Sequence, residues 1–200
     1  MPYELAVIGT SLGGLQALEI MLSGLPPDLP IAIAIVQHRH KTSQNELVYF
    51  LQQFSKLPIM EPEDKQEIIP GCVYLAPADY HLLVEPGHFA LSTDAPVNYA
   101  RPSIDVLFES AADTYGDRVI GIILSGASHD GAYGLAKIKA LGGLAIIQDP
   151  NTAACAIMPN AAIAELSRST ILDKPDPILS LPEIVSYLVN LCSLAPTPSP

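Results

Sequence analysis

Apolar positions along the chain follow two rhythms, and the rhythms alternate. Short continuous apolar runs at residues 5–8, 31–36, 72–76 and 119–124 have the pattern of strands buried on both faces. Residues 144–148 read as a further strand, and 57–60 and 169–172 as weaker ones. Between them, apolar residues recur at helical spacing. Leu15, Leu18 and Leu22 form one such stripe, and Leu47, Phe50, Leu51 and Phe54 another, within 43–54. Ile104, Leu107, Phe108, Ala111, Ala112 and Tyr115 share a face over 103–115. Helices are also predicted over 131–141 and over 153–166, the latter interrupted by Pro159, and a last one carries Ile184, Tyr187, Leu188 and Leu191. Ser43-x-x-Glu46 and Ser180-x-x-Glu183 have the form of capping boxes. Pro86-Gly87 between residues 81–85 and 88–92 predicts a hairpin. Strand and helix patterns alternate throughout, which makes the class α/β with a mostly parallel sheet. No internal repeat and no linker divides the chain, so a single domain is expected, followed by a frayed proline-rich tail at 193–200.

The first strand-to-helix junction carries the chemistry. Gly9-Thr10-Ser11-Leu12-Gly13 is a G-x-S-x-G pattern between a strand and a helix, the context in which a sharp turn lifts a serine hydroxyl clear of the sheet. Unpaired N–H groups at the helix start would face a developing oxyanion. Two other readings stand beside it. Ser11 can simply cap the helix, or the glycine-rich turn can cradle a phosphate. The G-x-G-x-x-G spacing is absent, however, and no Lys-Ser/Thr follows the glycines.

In doubly wound sheets ligands bind beyond the carboxyl ends of the strands. The second strand ends in Gln37-His38-Arg39-His40, and the run 119–124 leads into a loop ending His129-Asp130-Gly131. A hydroxyl needs a base, and the base needs an orienting carboxylate. Ser11, His38 and Asp130 are therefore candidates for one crevice, in an order unlike the Ser–Asp–His of α/β-hydrolases. Spacing does not choose between His38 and His40, His129 competes as base, and Asp130 can equally be a helix N-cap. Asp79, His81 and Asp105 are further polar candidates. No ligand spacing supports a metal site.

Composition narrows the field. About half of the 200 residues are apolar, enough for a sizeable core. The net charge of −11 argues against nucleic acid and against polybasic membrane attachment. Cys72, Cys155 and Cys192 are odd in number and widely spaced, which indicates neither a zinc site nor a disulfide framework and fits a reducing cytosol. Glu4 stands where a signal peptide needs positive charge, and no apolar run suits a membrane span.

With these residues in view, the chain resembles the catalytic domain of the chemotaxis protein-glutamate methylesterase family, the CheB-type domain. The matching stretches are VIGTSLGG, IVQH, PG-x-VYLAPADYHL, RPSIDVLFESAA, IGIILSGASHDGAYGL, GG-x-x-IIQDP and MPNAAI. They run from about residue 5 to 187, so that the CheB-type domain is expected over residues 4–192. The resemblance implies a single doubly wound, three-layer domain with about seven mainly parallel strands. It implies hydrolysis of glutamate methyl esters on the cytoplasmic helices of chemoreceptors, with release of methanol, and deamidation of receptor glutamines by some members. It places the nucleophile at Ser11, the base at His38, the orienting acid at Asp130, and oxyanion N–H donors at Leu12 and Ala127. It implies a cytoplasmic location and neither a cofactor nor a metal. The family usually has threonine where Leu12 stands, methionine at Ala127 and asparagine at His129. Usual members also carry an N-terminal receiver domain, whereas the likeness begins here at about residue 4. The expectation is an ungated enzyme or control by a separate response-regulator partner. The alternatives are a receptor-binding or scaffolding domain that has kept the fold without the rate, and a small-ester or nucleotide-related α/β enzyme.

Overall fold

A computed structural model of the chain describes residues 3–42, 46–168 and 176–193. In chain order the elements are β1 (Leu5–Thr10), α1 (Gly14–Gly24), β2 (Ala32–Gln37), α2 (Glu46–Gln52), β3 (Ile59–Met60) and β4 (Val73–Leu75). There follow β5 (His81–Glu85), β6 (His88–Ser92), α3 (Ile104–Tyr115), β7 (Val119–Ile123) and α4 (Ala132–Ala140). The last are β8 (Leu144–Gln148), α5 (Ile157–Arg168), β9 (Ile178–Leu179) and α6 (Leu181–Ser193). Seven strands form one sheet in the order β3-β4-β2-β1-β7-β8-β9, and every pairing in it is parallel. β5 and β6 make the separate antiparallel hairpin that Pro86-Gly87 predicts.

Period-two alternation sorts the central strands between two helical layers. Leu5 and Val7 of β1 face the cluster that holds Leu107 and Phe108 of α3, Leu135 of α4 and Ala162 of α5. Ala6 and Ile8 face Leu18 and Met21 of α1 and Ile184 and Leu188 of α6. All six residues of β1 and of β2 are buried, which is why those segments are continuously apolar up to the terminal Thr10 and Gln37 rather than alternating. The chain leaves β1 for β2 on one side and later returns to β7 on the other. Strand order thus reverses beside β1, and the crevice this creates lies at the end where Ser11, His38 and the loop after Leu124 emerge.

Several boundaries differ from the sequence pattern for physical reasons. Helix α5 begins only at Ile157, so Pro159 lies in its first turn and needs no intrahelical acceptor. Pro159 is a helix-start residue rather than an interruption. In α2 only Leu51 is buried, and Phe50 remains exposed, so the amphipathic stripe is used in part. The Ser43-x-x-Glu46 box and the strand expected at 169–172 fall on segments outside the described residues, as does the tail beyond 193. Strand β9, too short for a periodic signal, pairs with β8 through Ile178 and Leu179. At α6 the box is partly realised: Glu183 accepts from Ser180 N at 2.8 Å and from Ser180 Oγ at 2.6 Å.

Candidate active site

Ser11 is the first residue beyond β1, and tertiary hydrogen bonds fix its backbone. Ser11 N donates to Ser125 O at 3.0 Å, tying the turn to the loop after β7. Gln37 Nε2 donates to Ser11 O at 3.0 Å and to His38 O at 2.9 Å. One buried amide thus clamps the backbones of the serine and the histidine together. The Gln37 side chain lies over Gly14, where a Cβ would stand 2.2 Å from Gln37 Oε1. Gly13, at φ 80, makes the left-handed turn into α1, and a Cβ there would meet Ala154 Cβ at 2.5 Å. The glycines after Ser11 therefore serve backbone conformation and close approach. Ser11 is partly exposed, and its Oγ makes no hydrogen bond among the described residues.

β1 and β2 are paired in parallel with Thr10 opposite Gln37, so Ser11 and His38 leave the sheet side by side. His38 Nε2 lies 2.8 Å from Asp130 Oδ2. Asp130 is fully buried in a fan of donors: Ile104 N at 2.6 Å, Ser103 Oγ at 2.8 Å, Asp105 N at 3.1 Å and Asn98 Nδ2 at 3.2 Å. Burial pushes its carboxyl upward, but the bonds from His38, Ile104, Ser103 and Asp105 outweigh burial and hold it below the ordinary aspartate value. Being ionised, Asp130 can only accept, so His38 Nε2 carries the proton between them, and in the neutral imidazole Nδ1 is the atom with the lone pair. Asp130 also caps the N-terminus of α3, since two of its donors are first-turn amides there.

The turn from Val97 to Ala100 brings in Asn98. Asn98 and Tyr99 have φ 50 and 63, and Arg101 Nη1 ties the segment to Thr93 O and Asp94 O. Asn98 Nδ2 reaches Asp130 and also Asp105 Oδ2, at 2.7 Å. Asp105 accepts from Gly134 N at 2.7 Å as well. Burial first, then the Asp130 charge, push its carboxyl up to about 6 against the opposing Gly134 bond. Asn98 lies in no motif, and Gln37, although inside IVQH, carries no chemical signature of its own. Asn98 at a turn with positive φ was the one signal available.

The remaining candidates fall elsewhere. His40 is exposed, with Nδ1 on Thr42. His129 is exposed beside Asp105 and Tyr133 in a cavity of about 540 Å³. Asp79 pairs with Arg101. His81 is buried and structural: its Nδ1 accepts from Ser103 N at the start of α3. Leu12 N and Ala127 N take part in no hydrogen bond among the described residues. Ser125 Oγ donates to Leu12 O at 2.8 Å, which directs the Leu12 peptide. Among the described residues no group of three or more His, Cys, Asp or Glu could hold a metal ion.

Comparison with known proteins agrees with this architecture. The family model described as CheB methylesterase matches residues 6–177. A Leptospira interrogans protein that bears the name "Putative protein-glutamate methylesterase/protein-glutamine glutaminase" is 46% identical over 192 residues, 96% of each chain. The protein-glutamate methylesterase/protein-glutamine glutaminase 2 of Anaeromyxobacter dehalogenans is 40% identical over 187 residues, 94% of this chain and 54% of that one. Among solved structures, the catalytic domain of the Thermotoga maritima CheB methylesterase superposes with a TM-score of 0.86 at 33% identity, covering 96% of this chain and 100% of that one. A parallel seven-stranded sheet with a serine and a histidine leaving neighbouring strands, matched along nearly its whole length, places this chain in the CheB methylesterase family.

Proposed function

We propose that residues 4–192 form a serine esterase that hydrolyses glutamate methyl esters on chemoreceptors and releases methanol. The observation that carries the proposal is the buried, five-donor carboxylate of Asp130 on His38, one strand away from Ser11. That carboxylate fixes the imidazole so that Nδ1 is the basic atom, and it stabilises the imidazolium once formed. Ser11 Oγ attacks the ester carbonyl as His38 Nδ1 takes its proton. The N–H groups of Leu12 and Ala127 receive the oxyanion. The imidazolium returns the proton to departing methanol, and water repeats the sequence to free the glutamate. The same steps with ammonia as leaving group give the glutamine deamidation that the names of the relatives include. A receptor's cytoplasmic helices as substrate put the enzyme in the cytoplasm, and no helix among the described residues is long and apolar enough to cross a membrane.

The test is Ser11→Ala. Methanol release from methylated receptor should fall to the uncatalysed rate with the fold intact by circular dichroism, and unchanged turnover would refute the assignment. One observation favours the second reading, a receptor-binding domain without catalysis: Ser11 Oγ has no partner among the described residues, and Leu12 beside it is 63% exposed. Unliganded sites often leave such catalytic bonds open. Receptor binding without Ser11-dependent hydrolysis would establish the second reading.

A further inference from the structure

Three of the ten lysines and arginines, Arg39, Lys41 and Arg101, line one cavity of about 340 Å³ together with His38 and His40, in a chain of net charge −11. Arg101 is neutralised there by Asp79 at 2.7 Å. Lys41 has no acidic partner among the described residues. Arg39 is the unusual group. Its side chain is only 7% exposed, and its Nη2 donates to Glu61 Oε1 at 2.5 Å and to Ala76 O at 2.8 Å. Its Nε and Nη1 are buried with no hydrogen-bond partner among the described residues. Buried guanidinium N–H groups are normally satisfied, and an unsatisfied one calls for an explanation. Gln37 Oε1, the other such atom among the described residues, packs over Gly14. Arg39 also lines a second cavity of about 360 Å³ that includes His38, where Glu46 stands without bonding it.

We infer that Arg39 and Lys41 form a subsite beside His38 for a carboxylate of the substrate polypeptide close in sequence to the reacting ester. A carboxylate is the acceptor that the Nε and Nη1 groups of Arg39 lack, and Lys41, exposed in the cavity lining, adds attraction before contact. Arg39 is paired with Glu61 and Arg101 with Asp79, so Lys41 supplies the uncompensated positive charge, which is local, opposite to that of the whole chain, and selects an acidic stretch of a partner rather than an acidic partner at large. This rests on the esterase reading and names the chemistry that reading prefers around the ester.

The experiment compares methyl-ester peptides in which a single glutamate or glutamine is walked through the four positions on each side of the ester. For the wild type, at one position at least, glutamate should raise kcat/KM fivefold or more over glutamine through KM, with the advantage shrinking as salt is added. Lys41→Gln should cut that preference at least threefold. Arg39→Gln, checked for folding by circular dichroism, should do the same, and if it does not fold Lys41→Gln decides. Equal hydrolysis of both peptide series by the wild type overturns the subsite and leaves the esterase standing. So does a preference that survives intact in either folded variant. Absence of Ser11-dependent hydrolysis of every peptide overturns the esterase reading, and the subsite falls with it.

Discussion

Asp105 and Asp130 share one donor, Asn98 Nδ2, yet their acidities move in opposite directions. The difference lies in how many N–H and O–H groups each receives to offset burial. Asp105 in the folded chain holds its proton up to about pH 6, whereas an unfolded aspartate releases it near 4. Between those values the folded state binds the extra proton, so the contribution of Asp105 to stability falls as pH rises, by at most about 1.4 kcal/mol per pH unit. Asp130 has the opposite sign: its contribution is present above the unfolded value and is lost as pH falls through its depressed folded value. Asp105→Asn should therefore flatten the decline in unfolding free energy between pH 4 and 6, read by urea titration. A pH dependence identical to wild type would contradict this account of the pair.

At the scale of elements, the site depends on how closely α3 approaches β1. A Cβ on Gly9 would lie 2.3 Å from Ile104 Cγ2, so glycine there lets the first turn of α3 reach Asp130 with two amides. Gly9→Ala should cost about 1–3 kcal/mol through overpacking. It should also slow methanol release at least tenfold by displacing those amides. Combined with Ile104→Ala it should be less destabilising than the sum of the single changes in thermal unfolding, and strict additivity would contradict the contact. These contacts also mark what was legible in the sequence. The buried strands, the hairpin and α3 with its Ser103 cap show in the apolar rhythm, because their signal is local. The late start of α5 and the short β9 do not, since tertiary pairing sets them. Ser11, His38 and Asp130 stand out because each follows an apolar run. Gln37 and Asn98 were invisible as site residues, because their importance comes from what distant segments place beside them.

For the whole molecule, topology makes three distant residues neighbours. The reversal of strand order beside β1 puts the ends of β2 and β7 on either side of Ser11. A hydroxyl, an imidazole and a carboxylate are thereby gathered at one end of the sheet in a protein whose overall charge is strongly negative. The central claim is that Ser11, His38 and Asp130 act as one nucleophilic unit. It is tested most directly by treating the intact protein with a fluorophosphonate and mapping the adduct by mass spectrometry. The account predicts a single phosphonyl group on Ser11, formed at least a hundredfold more slowly in folded His38→Gln. No adduct on Ser11, or equal labelling rates in the two proteins, would contradict it.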